Sequence, residues 1–84
     1  MTVRVFGRLR KALATDSIEL EVSTVAEALD ILRGKLDRHD AEAHNMLDKA
    51  VILVNGRNVR ALAGAGTRLD ADDEMTLLQQ IAGG

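Results

Sequence analysis

The residues whose type and placement offer most chemistry are the last two of the sequence, Gly83 and Gly84. Two consecutive residues without Cβ make a thin thread that can enter a narrow channel and approach another protein's backbone closely. Such a thread delivers its own carboxylate. A carboxylate is a poor electrophile, because its charge is delocalised and its oxygen leaves badly, so acyl chemistry at Gly84 calls for adenylation by a separate ATP-using partner. The chain offers no nucleotide site of its own: Gly64-Ala65-Gly66-Thr67 lacks the lysine and the strand-to-helix context of a phosphate cradle and reads as a plain turn. No bound cofactor is expected. Ile81 and Ala82 lead into the two glycines, giving an expected flexible tail over 81–84 beyond a folded domain over 1–80. The competing reading is a frayed end without consequence.

Other chemistries find less support. His39 and His44 are the only histidines, their spacing puts them on different faces of a helix, and no cysteine or third histidine completes a zinc site. Asp70, Asp72, Asp73 and Glu74 lack the alternating ligands, central glycine and distant glutamate of a calcium loop, so they read as an acidic turn. Ser23 and Thr24 are accounted for by helix capping, and no histidine lies near them in sequence to activate a hydroxyl. Zero cysteines remove disulfide staples and thiolate catalysis together, so the fold rests on packing alone. With 46% hydrophobic residues and Phe6 as the single aromatic, that packing is aliphatic.

Charge and hydropathy narrow the partners. Eleven basic against thirteen acidic residues leave a net charge of -2 and no broad basic field, so nucleic-acid binding is not expected. Arg4, Arg8, Arg10 and Lys11 form a local basic cluster, fit either to meet an acidic partner surface or simply to be solvated. No apolar run approaches the roughly 20 residues that span a bilayer. The N-terminal arginines interrupt Val3, Val5 and Leu9, unlike a signal-peptide core. A cytoplasmic protein without a membrane partner is the expectation.

The elements that must position the tail follow from periodicity. Val3 and Val5 alternate with Arg4 and Phe6, the two-residue period of a half-buried strand running to about Gly7. Ile18, Leu20 and Val22 alternate with Ser17, Glu19, Glu21 and Ser23 as a second strand, and the two are expected to form a hairpin. Thr24 with Glu27 is a capping box that opens a helix, whose Val25, Ala28, Leu29, Leu32 and Leu36 share one face. Gly34 either ends that helix or weakens its last turn. Asp40 is placed to cap a short helix in which Ala43, Met46 and Leu47 align. Val51 to Val54 is a continuous apolar run expected near the middle of a sheet, and Asn55-Gly56 then turns the chain into a short strand over Arg57 to Arg60. Met75 to Gln80 supplies the final strand.

This order predicts an α+β fold, a mixed sheet of about five strands with one main helix on one face, matching the ubiquitin-like β-grasp. In that topology the first and last strands are parallel neighbours. Alternation then turns Val3, Val5, Met75 and Leu77 toward the helix, and Phe6 and Leu78 toward the uncovered face as a partner-binding patch beside the tail.

The sequence resembles the MoaD/ThiS family of ubiquitin-like sulfur carriers over its whole length, and most of all the small subunits of molybdopterin synthases. The resemblance rests on Val3-Arg4-Val5-Phe6, Ser23-Thr24-Val25-Ala26-Glu27-Ala28-Leu29, Val54-Asn55-Gly56, Thr67-Arg68-Leu69 followed by Asp72-Asp73-Glu74, and Ile81-Ala82-Gly83-Gly84, in that order and spacing. It implies that a ubiquitin-activating-type adenylyltransferase uses ATP to adenylate the Gly84 carboxylate, which becomes a thiocarboxylate. It further implies that the tail, threaded through Gly83, enters a molybdopterin synthase large subunit and donates sulfur to precursor Z. The chain would then be a carrier subunit and not itself an enzyme. Where such family members often carry aromatics and a proline pair before the glycines, this chain has Leu77-Leu78 and Gln79-Gln80. The segment from Asp37 to Lys49, long enough for an extra helix, favours the molybdopterin type over the shorter thiamine-pathway carriers. The alternatives are a carrier for thiamine, cysteine or tungsten-cofactor synthesis, a protein modifier conjugated through Gly84, and a passive binding module.

Overall fold

The computed structural model describes residues 1–79. The chain runs β1 (Thr2–Val5), α1 (Arg8–Leu13), β2 (Ser17–Glu19), α2 (Val25–Lys35), α3 (Ala41–Asp48), β3 (Val51–Val54), β4 (Arg57–Asn58) and β5 (Glu74–Leu78), with 3-10 turns at Val59–Ala61 and Gly64–Gly66. The strands form one five-stranded sheet in the order β2-β1-β5-β3-β4. β1 and β5 are parallel, with Val3 opposite Met75 and Val5 opposite Leu77; β2 and β3 run antiparallel to their neighbours. This is the expected mixed α+β sheet with α2 as its main helix, accompanied by the shorter α1 and α3.

The physical reasons for α2 are those legible in its sequence. Thr24 Oγ1 accepts the Glu27 N–H at 3.2 Å, and Glu27 Oε2 reaches back to the Ser23 N–H at 3.4 Å, so unpaired donors of the first turn are satisfied from both sides. Val25, Ala28 and Leu32 are fully buried, Leu36 nearly so, and Leu29 flanks them half-buried. Gly34 stays inside the helix on its exposed side; the stop comes at Leu36, which turns extended and carries its side chain into the core. Asp40 caps α3 by accepting the Ala43 N–H at 3.0 Å, and Ala43 and Leu47 are buried. The Thr67–Leu69 segment is laced across the start of α2, with Val25 N–H donating to Thr67 O at 3.0 Å and Leu69 N–H to Ser23 O at 2.9 Å.

Three expectations are corrected. β1 and β2 do pair antiparallel, but α1 stands between them in place of a tight hairpin. Its Leu9 is fully buried, with Ala12 and Leu13 packed half-buried beside the core at helical spacing. The basic cluster therefore divides: Arg4 lies on the sheet, whereas Arg8, Arg10 and Lys11 lie on α1. The expected strand from Arg57 to Arg60 stops at Asn58, whose Oδ1 accepts the Arg60 N–H at 2.9 Å and starts a 3-10 turn that buries Val59. The final strand ends at Leu78 and not at Gln80. The expected boundary at residue 80 and the 81–84 segment lie outside the described residues.

Candidate functional site

The strand that leads toward the Gly83-Gly84 pair is β5, and its alternation is sharp. Met75 and Leu77 are 0% exposed, whereas Glu74, Thr76 and Leu78 are half-buried on the opposite face, which no helix among the described residues covers. On one side β1 places Arg4 opposite Thr76, and Phe6 follows Val5 as Leu78 follows Leu77. The Phe6 N–H donates to Leu77 O at 3.2 Å, which holds the two strands together at this end. Phe6 is 47% exposed, a large outlay of apolar surface in so small a protein.

On the other side β3 sets Val51 opposite Leu78 and Leu53 opposite Thr76. Both side chains are half-buried, and neither belongs to the packed cluster that takes in Ile52 and Val54. Phe6, Leu78, Val51 and Leu53 therefore share the open face. The sequence reading placed Phe6 and Leu78 there and missed Val51 and Leu53, because an unbroken apolar run gives no alternation to read. The usable signal was the prediction of helix cover on one face only, which obliges every second residue of such a run to face outward.

The surroundings of this apolar group are polar. Arg4 Nε lies 3.1 Å from Glu74 Oε2, and Thr2 Oγ1 donates to Glu19 Oε1 toward the β2 edge. On α1, Arg8 Nη1 pairs with Glu42 Oε1 of α3 at 3.2 Å, while Arg10 and Lys11 are exposed. At the far end of the sheet, Asn55 at φ 50 and Gly56 at φ 83 form the tight β3–β4 turn. Asn55 Nδ2 donates to Asp73 Oδ1 and Asn55 Oδ1 accepts the Glu74 N–H, both at 2.9 Å, tying that turn to the start of β5. The Asp70 N–H donates to Asp73 Oδ2 at 2.8 Å, and this bond, with that from Asn55, holds the Asp73 carboxyl below its ordinary range. The acidic stretch is thus a structural turn, held by Asn55 and by its own Asp70–Asp73 bond.

The histidines stand apart from the open face: His39 is exposed, and half-buried His44 has Nε2 3.2 Å from the Asp37 carbonyl. Among the described residues, no three His, Cys, Asp or Glu side chains group so as to hold a metal ion, and no helix is long and apolar enough to cross a membrane. The remaining expected site residues, Ile81, Ala82, Gly83 and Gly84, lie outside the described residues. One residue that sequence reasoning missed stands at the end of β5: Gln79, whose Oε1 accepts the Arg8 N–H at 3.3 Å.

The ThiS family model matches residues 3–84, nearly the whole chain and through both terminal glycines. The chain belongs to the ThiS family. A curated relative, small archaeal modifier protein 3 of Haloferax volcanii, is 29% identical over 100% of this chain and 98% of its own length. Among solved structures, small archaeal modifier protein 1 from Methanosarcina acetivorans is 29% identical with a TM-score of 0.78, covering 99% of this chain and 94% of that one. A chain in the Amycolatopsis orientalis BexX/CysO complex is 26% identical with a TM-score of 0.76, covering 99% of this chain and 98% of that one. This ThiS-family chain is thus a ubiquitin-like β-grasp protein of the carrier and modifier class, among whose relatives one has been captured in complex with another protein.

Proposed function

We propose that this ThiS-family chain is a sulfur carrier acting through the Gly84 carboxylate. The carboxylate attacks the α-phosphorus of ATP in the site of a ubiquitin-activating-type adenylyltransferase, pyrophosphate leaves, and Gly84 becomes an acyl adenylate. Hydrosulfide supplied by the partner then attacks the carbonyl carbon; the C–S bond forms as the C–O bond to AMP breaks and the sulfur gives up its proton, leaving a thiocarboxylate. The carrier then docks on an acceptor enzyme, for which we propose a molybdopterin synthase large subunit that builds the dithiolene. That choice of acceptor rests on the length of the segment from Asp37 to Lys49, which α3 fills.

The observation that carries the reading is the family match running through residue 84, which takes in Gly83 and Gly84. The geometry is compatible with it. Five residues follow Gln79 in the sequence, and at about 3.3–3.6 Å per residue Gly84 reaches at most about 18 Å beyond Gln79. A partner that grips Phe6, Leu78, Val51 and Leu53 would therefore have its nucleotide site within that radius. In this reading Ile81 and Ala82 line the partner's channel and Gly83 passes its narrowest point, where a side chain would widen the thread. The chain supplies no catalytic group, and ATP is the partner's substrate.

A second reading is favoured by the relatives named as small archaeal modifier proteins: conjugation of the same activated Gly84 to a lysine of a target protein. The two share activation and differ in the acceptor. An immunoblot of the native host under denaturing, reducing conditions separates them. A sulfur carrier runs only as the free chain; a ladder of larger species that survives thiols would establish the modifier.

A further inference from the structure

Gln79 is exposed and follows the last residue of β5, a position at which a side chain ordinarily does nothing, yet its carboxamide is engaged. β1 and β5 pair in parallel, and the Phe6 N–H donates to Leu77 O. In a parallel ladder the next rung would join the Arg8 N–H to the backbone carbonyl of Gln79. The Arg8 N–H instead donates to Gln79 Oε1 at 3.3 Å. A side-chain carbonyl has taken the place of a backbone one. The donor stays satisfied, and the backbone of Gln79 is released from the sheet.

Gly7 makes this substitution possible. At φ 69 and ψ -146 it occupies backbone space essentially reserved for glycine, where the chain turns from β1 into α1. A Cβ at Gly7 would stand 3.0 Å from Gln79 Oε1 and 3.4 Å from Gln79 Cβ, so the side chain rests in the room that glycine leaves. Gly7 and Gln79 therefore form a fitted pair at the root of the segment that carries Gly84.

We infer that Gln79 is a positioning residue: its carboxamide, latched across Gly7 to the Arg8 N–H, fixes the place of Gln79 itself, the root of the segment that carries Gly84. The inference deepens the sulfur-carrier reading and rests on it for its consequence, which is that the segment carrying Gly84 starts from a fixed root beside the docking face. Losing the latch adds roughly one freely rotating residue to the segment that a partner must order. Fixing one residue's backbone corresponds to a rate penalty of roughly 5- to 30-fold.

The test compares the full chain with Gln79→Ala and Gln79→Glu, the second retaining an oxygen that can accept from Arg8. Hydrogen exchange and nitrogen-15 relaxation read the latch on the isolated protein. Gln79→Ala is expected to speed exchange of the Arg8 amide and increase motion from residue 80 onward at unchanged melting temperature, with Gln79→Glu restoring both. An Arg8 amide and a C-terminal segment that behave alike in wild type and Gln79→Ala would overturn the inference. ATP–pyrophosphate exchange by the adenylyltransferase of the same organism reads the consequence. Gln79→Ala is expected to lower kcat roughly 5- to 30-fold with KM for the chain little changed, because the docking face is intact, and Gln79→Glu to recover it. Equal kcat for wild type and Gln79→Ala overturns the positioning role while leaving the carrier reading standing. A wild-type chain that supports no exchange overturns the carrier reading, and the amide measurements still decide the latch.

Discussion

The two faces of the sheet are made from alternate residues of the same strands, and they have been put to opposite uses. On the covered face Val3, Val5, Met75 and Leu77 lie under the helices with at most 1% of their surface exposed. On the open face Phe6 is 47% exposed, and Leu78, Val51 and Leu53 are only half-covered by their strand neighbours. The residues differ little in chemistry; what differs is whether a helix lies above them. Leu77 and Leu78, adjacent and identical in type, are therefore expected to report on different properties, the first on stability and, in the proposed docking, the second on association. In the proposed reading, the contrast lets a small protein offer apolar surface to a partner without compromising the core that keeps it folded.

The largest effect that could break this contrast is expected at Leu77. Leu77→Ala leaves a cavity in the core and is expected to cost about 2–5 kcal/mol of stability, measured by urea unfolding, without a specific change in partner affinity for the protein that remains folded. A cost as small as that of Leu78→Ala would show that the two faces are not distinct. Next come Phe6→Ala and Leu78→Ala. Each is expected to weaken binding to the activating partner by about 1–2 kcal/mol in titration calorimetry while shifting the melting temperature little. Large thermal losses with unaltered affinity would make the open face part of the core.

The smallest expected effect lies just before the start of β5, in the turn that serves both faces alike. The Asp70 N–H and the Asn55 amide hold the Asp73 carboxyl below its ordinary range in the folded protein. A carboxylate depressed on folding contributes stability above its unfolded pKa and loses it as pH falls through the folded one, so this contribution fades below about pH 4. Asp73→Asn is expected to flatten that part of the acid limb in urea midpoints measured against pH, leaving partner affinity at neutral pH unchanged. An identical acid limb in the variant would mean that the turn is equally stable with the carboxyl protonated.

The same alternation explains what could be read in advance. β1 and β5 announce their faces because polar residues separate the apolar ones, and the capping residues Thr24 and Asp40 mark their helices because each supplies the oxygen that an unpaired N–H requires. Helix α1 escaped notice for the complementary reason. It has no side-chain cap, since Gly7 precedes it, and it ends at Ala14 in the left-handed region at φ 61, where glycine would have signalled a stop. Leu9, Ala12 and Leu13 were its only signal, too short to stand out from a basic stretch. Gln79 was invisible because its role depends on the register of β1 against β5 and on the space above Gly7, neither of which is a local property of the sequence. For Gly83 and Gly84, residue type and position suggested the need for activation, the sulfur chemistry came from the family likeness, and both glycines lie outside the described residues.

That chemistry is the central claim, and intact-mass analysis of the protein purified from its native host tests it most directly, with the C-terminal peptide fragmented to locate any change. The sulfur-carrier account predicts a fraction of molecules heavier by the replacement of one oxygen with sulfur, the change confined to Gly84 and lost when Gly84 is deleted. An unshifted mass throughout, or a shift that survives deletion of Gly84, would contradict it.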